Sequence, residues 1–126
     1  MSEILYNEEH IWVRFDDYGM AVVGISAHAQ EQMGDIIFVE LPDIGHEVIL
    51  DEETILIESV KTTNEFAVPV SGTILEINEE LVKRPSLINQ SPLDDGWLLR
   101  VEPHDGRDIN ATMDEDEYKE FVDLEI

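Results

Sequence analysis

Cysteine is absent from the 126 residues. That excludes a disulfide, a thiolate nucleophile and any Cys-based metal site, so sulfur chemistry would have to arrive on an attached group. Basic residues are scarce: seven Lys and Arg stand against thirty Asp and Glu, a formal charge of −23. Such a surface repels phosphate, which argues against nucleic-acid or anionic-membrane binding. It suits a solubilising shell, adaptation to a salty cytoplasm, or steering of basic docking faces on partner enzymes. No run approaches the ~20 apolar residues of a membrane span. Ser2-Glu3-Ile4-Leu5 is acidic and has neither an apolar secretory core nor an Arg-rich transit pattern. The expected compartment is the cytoplasm, or the mitochondrial matrix if a transit peptide has been removed.

Other absences remove whole classes of chemistry. Glycines occur singly, so there is no phosphate cradle. Four histidines (His10, His28, His46, His104) show no i, i+4 pair and read as structural or surface residues. Gly24-Ile25-Ser26-Ala27-His28 starts like a nucleophile elbow but lacks the second glycine, and a helix-capping serine explains it. Asp114-Glu115-Asp116-Glu117 lacks the spacing of a calcium loop and reads as an acidic helix start. Nothing forms a nucleophile–base pair, so no enzyme is expected.

What is present is a chain of short strands, with length for one domain spanning 1–126. Ile11–Phe15 and Met20–Ile25, joined by Asp16-Asp17-Tyr18-Gly19, predict a hairpin. Ser26 predicts an N-cap, Ala27–Met33 a helix and Gly34 its stop. Ile36–Leu41 reads as a buried strand. Pro42-Asp43-Ile44-Gly45 precedes the strand Glu47–Leu50, and Pro69-Val70-Ser71-Gly72 precedes Thr73–Ile77. This weak repeat suggests two small sheets related by an approximate two-fold and packed around one core. A helical turn over Glu79–Lys83, a loop through Leu87–Pro92, a last strand Trp97–Val101, a loop over Pro103–Arg107 and a helix over Asp114–Val122 complete the reading.

Between the two repeats, the apolar run Thr54–Ile57 leads into Glu58-Ser59-Val60-Lys61. The polar Thr62-Thr63-Asn64-Glu65 follows, then Phe66-Ala67-Val68. This reads as a hairpin with Lys61 at its tip, held into water by a rigid base. A lysine offered that way suits attachment of a prosthetic group by another enzyme; an ordinary solvated turn lysine is the alternative.

Taken together, several stretches resemble the H proteins of the glycine cleavage system over nearly the full length. They are Glu9-His10-Ile11-Trp12-Val13, Gly24-Ile25 through Ala29-Gln30, Gly34-Asp35-Ile36-Ile37-Phe38-Val39-Glu40-Leu41-Pro42 and Glu58-Ser59-Val60-Lys61. Pro69-Val70-Ser71-Gly72, Leu87-Ile88-Asn89, Ser91-Pro92, Gly96-Trp97 and Glu117-Tyr118 complete the set. The resemblance implies a mainly β fold, a flattened barrel–sandwich hybrid of two small antiparallel sheets with short helices, one at the C-terminus. It implies lipoate in amide linkage to Lys61, with Glu58, Ser59 and Val60 as flanking recognition. In the family's cycle the lipoyl arm takes an aminomethyl group from a PLP-dependent glycine decarboxylase and passes it to a folate-dependent aminomethyltransferase. Dihydrolipoyl dehydrogenase then reoxidises the arm. A lipoate-attaching enzyme is the fourth partner implied.

Three positions depart from the family's usual pattern. Ile11 stands where a glutamate is common, Leu93 where an aromatic is common, and Glu65 where an aspartate is usual. An acid at position 11 would suit pairing with the amine of a loaded arm, and Glu9 is the nearby substitute. Two alternatives stay open: a lipoyl relay to other lipoyl domains, toward which Ile11 tilts, and an unmodified interaction module that keeps the fold. A biotinyl carrier would flank its lysine with methionines, against Val60 and Thr62 here.

Overall fold

The computed structural model describes residues 3–104 and 109–124. Nine strands and four helices follow one another among the described residues. β1 (Ile4–Tyr6), β2 (Ile11–Phe15) and β3 (Ala21–Ile25) form a meander, and α1 (Ala27–Met33) leads into β4 (Ile36–Glu40). β5 (Glu47–Val48), β6 (Glu53–Ser59), β7 (Thr63–Ala67) and β8 (Gly72–Ile77) come next. α2 (Glu80–Lys83), α3 (Leu87–Gln90), β9 (Leu99–Pro103) and α4 (Glu115–Leu124) close the order.

The strands build two antiparallel sheets, one of six in the order β1-β2-β3-β9-β8-β5 and one of three, β4-β6-β7. The expected barrel–sandwich hybrid is the observed architecture. Each Pro-x-x-Gly turn carries the chain from the small sheet to the large one, from β4 to β5 and from β7 to β8. There the two copies meet: β5 pairs with β8, and Gly45 N donates to Ile74 O at 2.8 Å.

Strand alternation sorts the core. Val13 and Val23 of the large sheet meet Val39, Ile55 and Ile57 of the small one in a single apolar cluster. Trp12 and Val22 point the other way, where Tyr6 and Tyr118 of α4 cover them. α4 starts with a reciprocal cap. Glu117 N donates to Asp114 Oδ1 at 2.8 Å, and Asp114 N donates to Glu117 Oε1 at 3.0 Å.

Five local expectations need correction. β1 has no counterpart among the expected strands; it is a short edge strand held by Tyr6 N and O bonding to Met113 across the chain. The expected loop through Leu87–Pro92 contains the single helical turn α3. The last strand begins at Leu99 rather than Trp97 and includes Pro103; the rest of the loop expected over Pro103–Arg107 lies mostly outside the described residues. The strand after Gly45 is only Glu47–Val48, with Ile49 exposed. β4 is not a uniformly buried strand: its register against β6 shifts between Ile36 and Phe38, and Ile37 and Phe38 are exposed.

Candidate functional site

Lys61 lies where the sequence predicts it, at the tip of a hairpin, and it is exposed. The connection is tighter than the polar run suggested. Thr63, Asn64 and Glu65 already pair with Glu58, Ile57 and Leu56, leaving only Val60-Lys61-Thr62 outside the strands.

Ser59 explains how so short a turn is fixed. Its hydroxyl is buried and accepts from Lys61 N and Thr62 N, both at 3.1 Å, while donating to Thr62 O at 3.3 Å. Ser59 N also donates to Thr62 O, at 2.8 Å. The backbone of Lys61 is therefore held from below by a single side chain. Glu58 and Val60 face outward, half-buried and exposed respectively.

A second support comes from the turn between α1 and β4. Val60 N donates to Asp35 O at 3.0 Å. Gly34 has φ 83°, and a Cβ built there would stand 3.3 Å from Lys61 Cε, so the lysine stem lies along this glycine. Asn89 ties the turn down from α3. Its Nδ2 donates to Gly34 O and to Gln30 Oε1, both at 2.9 Å, and its Oδ1 accepts from Ile36 N at 2.8 Å. No carboxylate of the described residues comes within 4.0 Å of Lys61 Nζ. Acylating that amine would leave no buried partner charge behind.

A family model described as Glycine cleavage H-protein matches residues 4–125. The chain belongs to that family. It is 45% identical over 122 residues to the glycine cleavage system H protein of Listeria monocytogenes, covering 97% of each chain. It is 41% identical to the mitochondrial H protein 2 of Arabidopsis thaliana, over 99% of this chain and 80% of that one. The crystal structure of an H protein from Mycobacterium marinum superposes with a TM-score of 0.88 at 31% identity, over 97% of this chain and 98% of that one.

Within this H-protein fold the departure at Ile11 gains a physical meaning. Ile11 is fully buried in the main core cluster, and its N donates to Asn7 Oδ1 at 3.0 Å. Glu9 sits in the turn before β2, not on the strand. It is exposed and lines a cleft of about 340 Å³ with Asp51, Glu53, Glu65, Phe66, Ala67 and Asn110. Glu9 and Glu65 thus line one opening, together with Asp51 and Glu53. Leu93, the other departure, packs in the cluster around Trp12 and Tyr118.

Residue spacing carries no sign of the cluster that holds α4. Tyr118 Oη lies 2.7 Å from His10 Nδ1 and 2.7 Å from Ser26 Oγ, and its ring stacks on Tyr6 at 4.3 Å. The His10 and His28 rings come within 5.0 Å. Ser26 also caps α1, accepting from Ala29 N at 3.0 Å, which agrees with the cap reading over a nucleophile. Burial and, second to it, the nearby Glu115 carboxylate hold the Tyr6 phenol above its ordinary value of 10.0.

Proposed function

We propose that this chain is a lipoyl carrier of the glycine cleavage system. Residues 1–126 act as one carrier domain, lipoate is joined by an amide to Lys61, and Glu58, Ser59 and Val60 form the approach the attaching enzyme reads. The observation that carries this reading is an exposed lysine on a turn whose backbone is fixed from two sides, by Ser59 and by Asp35. A pinned root lets the arm swing while its origin stays put. Each docked partner then meets the arm as an intramolecular reactant at high effective concentration.

Lipoate held on Lys61 would supply the dithiolane disulfide for taking up an aminomethyl group and for later reoxidation by thiol–disulfide exchange. The chain itself catalyses nothing. The Glu9 and Glu65 carboxylates offer acceptors for a cationic load; Glu65 is at most about 13 Å of strand beyond Lys61. The partners of this reading are glycine decarboxylase, aminomethyltransferase, dihydrolipoyl dehydrogenase and the lipoate-attaching enzyme, meeting the carrier in the cytoplasm or the mitochondrial matrix.

The deciding experiment is intact mass spectrometry of the protein from its native source, with fragmentation. A lipoyl increment localised to Lys61 is the expected result. An unmodified Lys61, in cells that lipoylate their other carriers, would leave a bare interaction module. One observation favours a lipoyl relay as the second reading: Ile11 supplies no carboxylate to the loaded arm. Lipoylated carrier, glycine and the decarboxylase separate the two. Aminomethyl loading that falls when Glu9→Gln and Glu65→Gln are combined supports glycine cleavage, and no loading of the wild type supports the relay.

A further inference from the structure

Three large apolar side chains near Lys61 face water: Ile37 at 51% exposure, Phe38 at 47% and Val60 at 62%. The ladder of β4 and β6 explains their grouping. Ile36 pairs with Ser59 and Phe38 with Glu58, and the register shifts between them, so Ile37 is the extra residue of a bulge. With Ile36 buried, the bulge turns two consecutive apolar residues outward, which a regular strand would place on opposite faces. Val60 continues the ladder through its bond to Asp35 O, and the Lys61 stem leans the same way, along Gly34. The exposed carboxylate of Asp35 and the half-buried one of Glu58 lie at the rim.

An apolar patch with an acidic rim, on the strand pair that carries the Lys61 turn, suits a partner whose reaction happens at that amine. On the carrier reading proposed above, only one does. The decarboxylase, the transferase and the dehydrogenase all work at the far end of the arm. The attaching enzyme alone must bring its active centre to Nζ. We propose that Ile37, Phe38 and Val60, rimmed by Asp35 and Glu58, form the seat for the lipoate-attaching enzyme, which presents an apolar face flanked by basic side chains. In the step this seat serves, unprotonated Nζ adds to the carbonyl carbon of lipoyl adenylate, the mixed anhydride made from lipoate and ATP. The bond from that carbon to the phosphate oxygen breaks, AMP leaves, and the nitrogen's proton passes to solvent.

The test compares the wild type, the double variant Ile37→Thr/Phe38→Thr and the single variant Val60→Thr. Threonine keeps the β preference of the strand, and Val60 lies outside it, so one variant stays informative if the other folds poorly. With purified lipoate–protein ligase, lipoate and ATP, the initial rate of the mass increment is expected to fall by about tenfold for the double variant. Val60→Thr is expected to slow in the same direction with an unchanged melting curve. After exhaustive loading, the double variant is expected to be reoxidised by dihydrolipoyl dehydrogenase within about twofold of the wild-type rate. A wild type that takes no lipoyl group overturns the carrier reading and this inference with it. A wild type loaded at Lys61 beside folded variants loaded equally fast overturns this inference alone. Equal slowing of loading and reoxidation overturns it too, by making the patch a general docking face.

Discussion

Replacing Ser59 by alanine removes the oxygen on which the amides of Lys61 and Thr62 converge. Those amides can still reach water at the exposed tip, so the penalty is that of lost hydrogen bonds and not of orphaned buried groups. We expect about 1–2 kcal/mol, a fall in Tm of about 3–6 °C for a chain of this size. Lipoylation should slow more than that stability loss implies, because the root of the acceptor is loosened. Thermal melting beside the loading rate by mass spectrometry checks both; unchanged loading with lowered Tm would reduce Ser59 to a purely structural residue. Lys61→Arg is the complementary change. The guanidinium sits at a solvated tip and touches no core, so stability should stay within about 0.5 kcal/mol of wild type while all loading disappears. A large thermal loss in that variant would mean Lys61 is structural.

At the scale of elements, the two Pro-x-x-Gly turns share a motif and need their glycines for different reasons. Gly45 has φ 90° with nothing within 4 Å of a built Cβ, so alanine there meets backbone strain alone, about 1 kcal/mol. At Gly72 a Cβ would stand 2.2 Å from Glu102 O, a backbone atom of the facing strand β9. Gly72→Ala should therefore cost about 3 kcal/mol or more, and urea unfolding of the two variants measures the difference. If both fell equally, space would not be what Gly72 provides. α4 gives a third case. Tyr118→Phe removes the hydroxyl shared by His10 and Ser26 and should cost about 1–3 kcal/mol, read as earlier proteolysis or exchange of the helix. The Tyr6 phenol beneath it titrates above its ordinary value. The native state thus holds its proton longer, and the stability this contributes is intact below about pH 10 and lost as the pH rises through the native value. Tyr6→Phe should flatten that alkaline loss.

How much of each element was legible follows from where its cause lies. α1 could be read residue for residue because Ser26 and Gly34 act on the helix they bound. The Lys61 hairpin was legible in place but not in length. Polarity marked Thr63–Glu65 as loop, whereas pairing with β6 makes them strand. β1 and α3 depend on partners far along the chain, Met113 for one and the Asn89 bonds to Gly34 and Gln30 for the other. No local pattern announces those. The same is true of the site. Lys61 stood out in the sequence, while the residues that fix it (Ser59 from below, Gly34 and Asp35 from the side, Asn89 behind them) became a unit only through the β4–β6 ladder and α3.

Across the whole molecule the most lopsided property is charge. Against thirty carboxylates, the ion pairs among the described residues engage only Asp16, Glu47, Glu76 and Glu115. Most of the acidic surface therefore repels itself, and that repulsion lowers the stability of the folded state. Salt shortens its reach, from roughly 30 Å at 0.01 M to roughly 10 Å at 0.1 M. Tm should accordingly rise across that range. Attraction between the same carboxylates and a basic partner face is screened by the same ions, so the association rate with the attaching enzyme should fall as Tm climbs. Opposite slopes in the two measurements are the signature of an acidic shell that serves docking. A rising Tm with a flat loading rate would assign the charge to solubility or salt adaptation alone, and would leave the apolar patch beside Lys61 to hold the attaching enzyme without help from its rim.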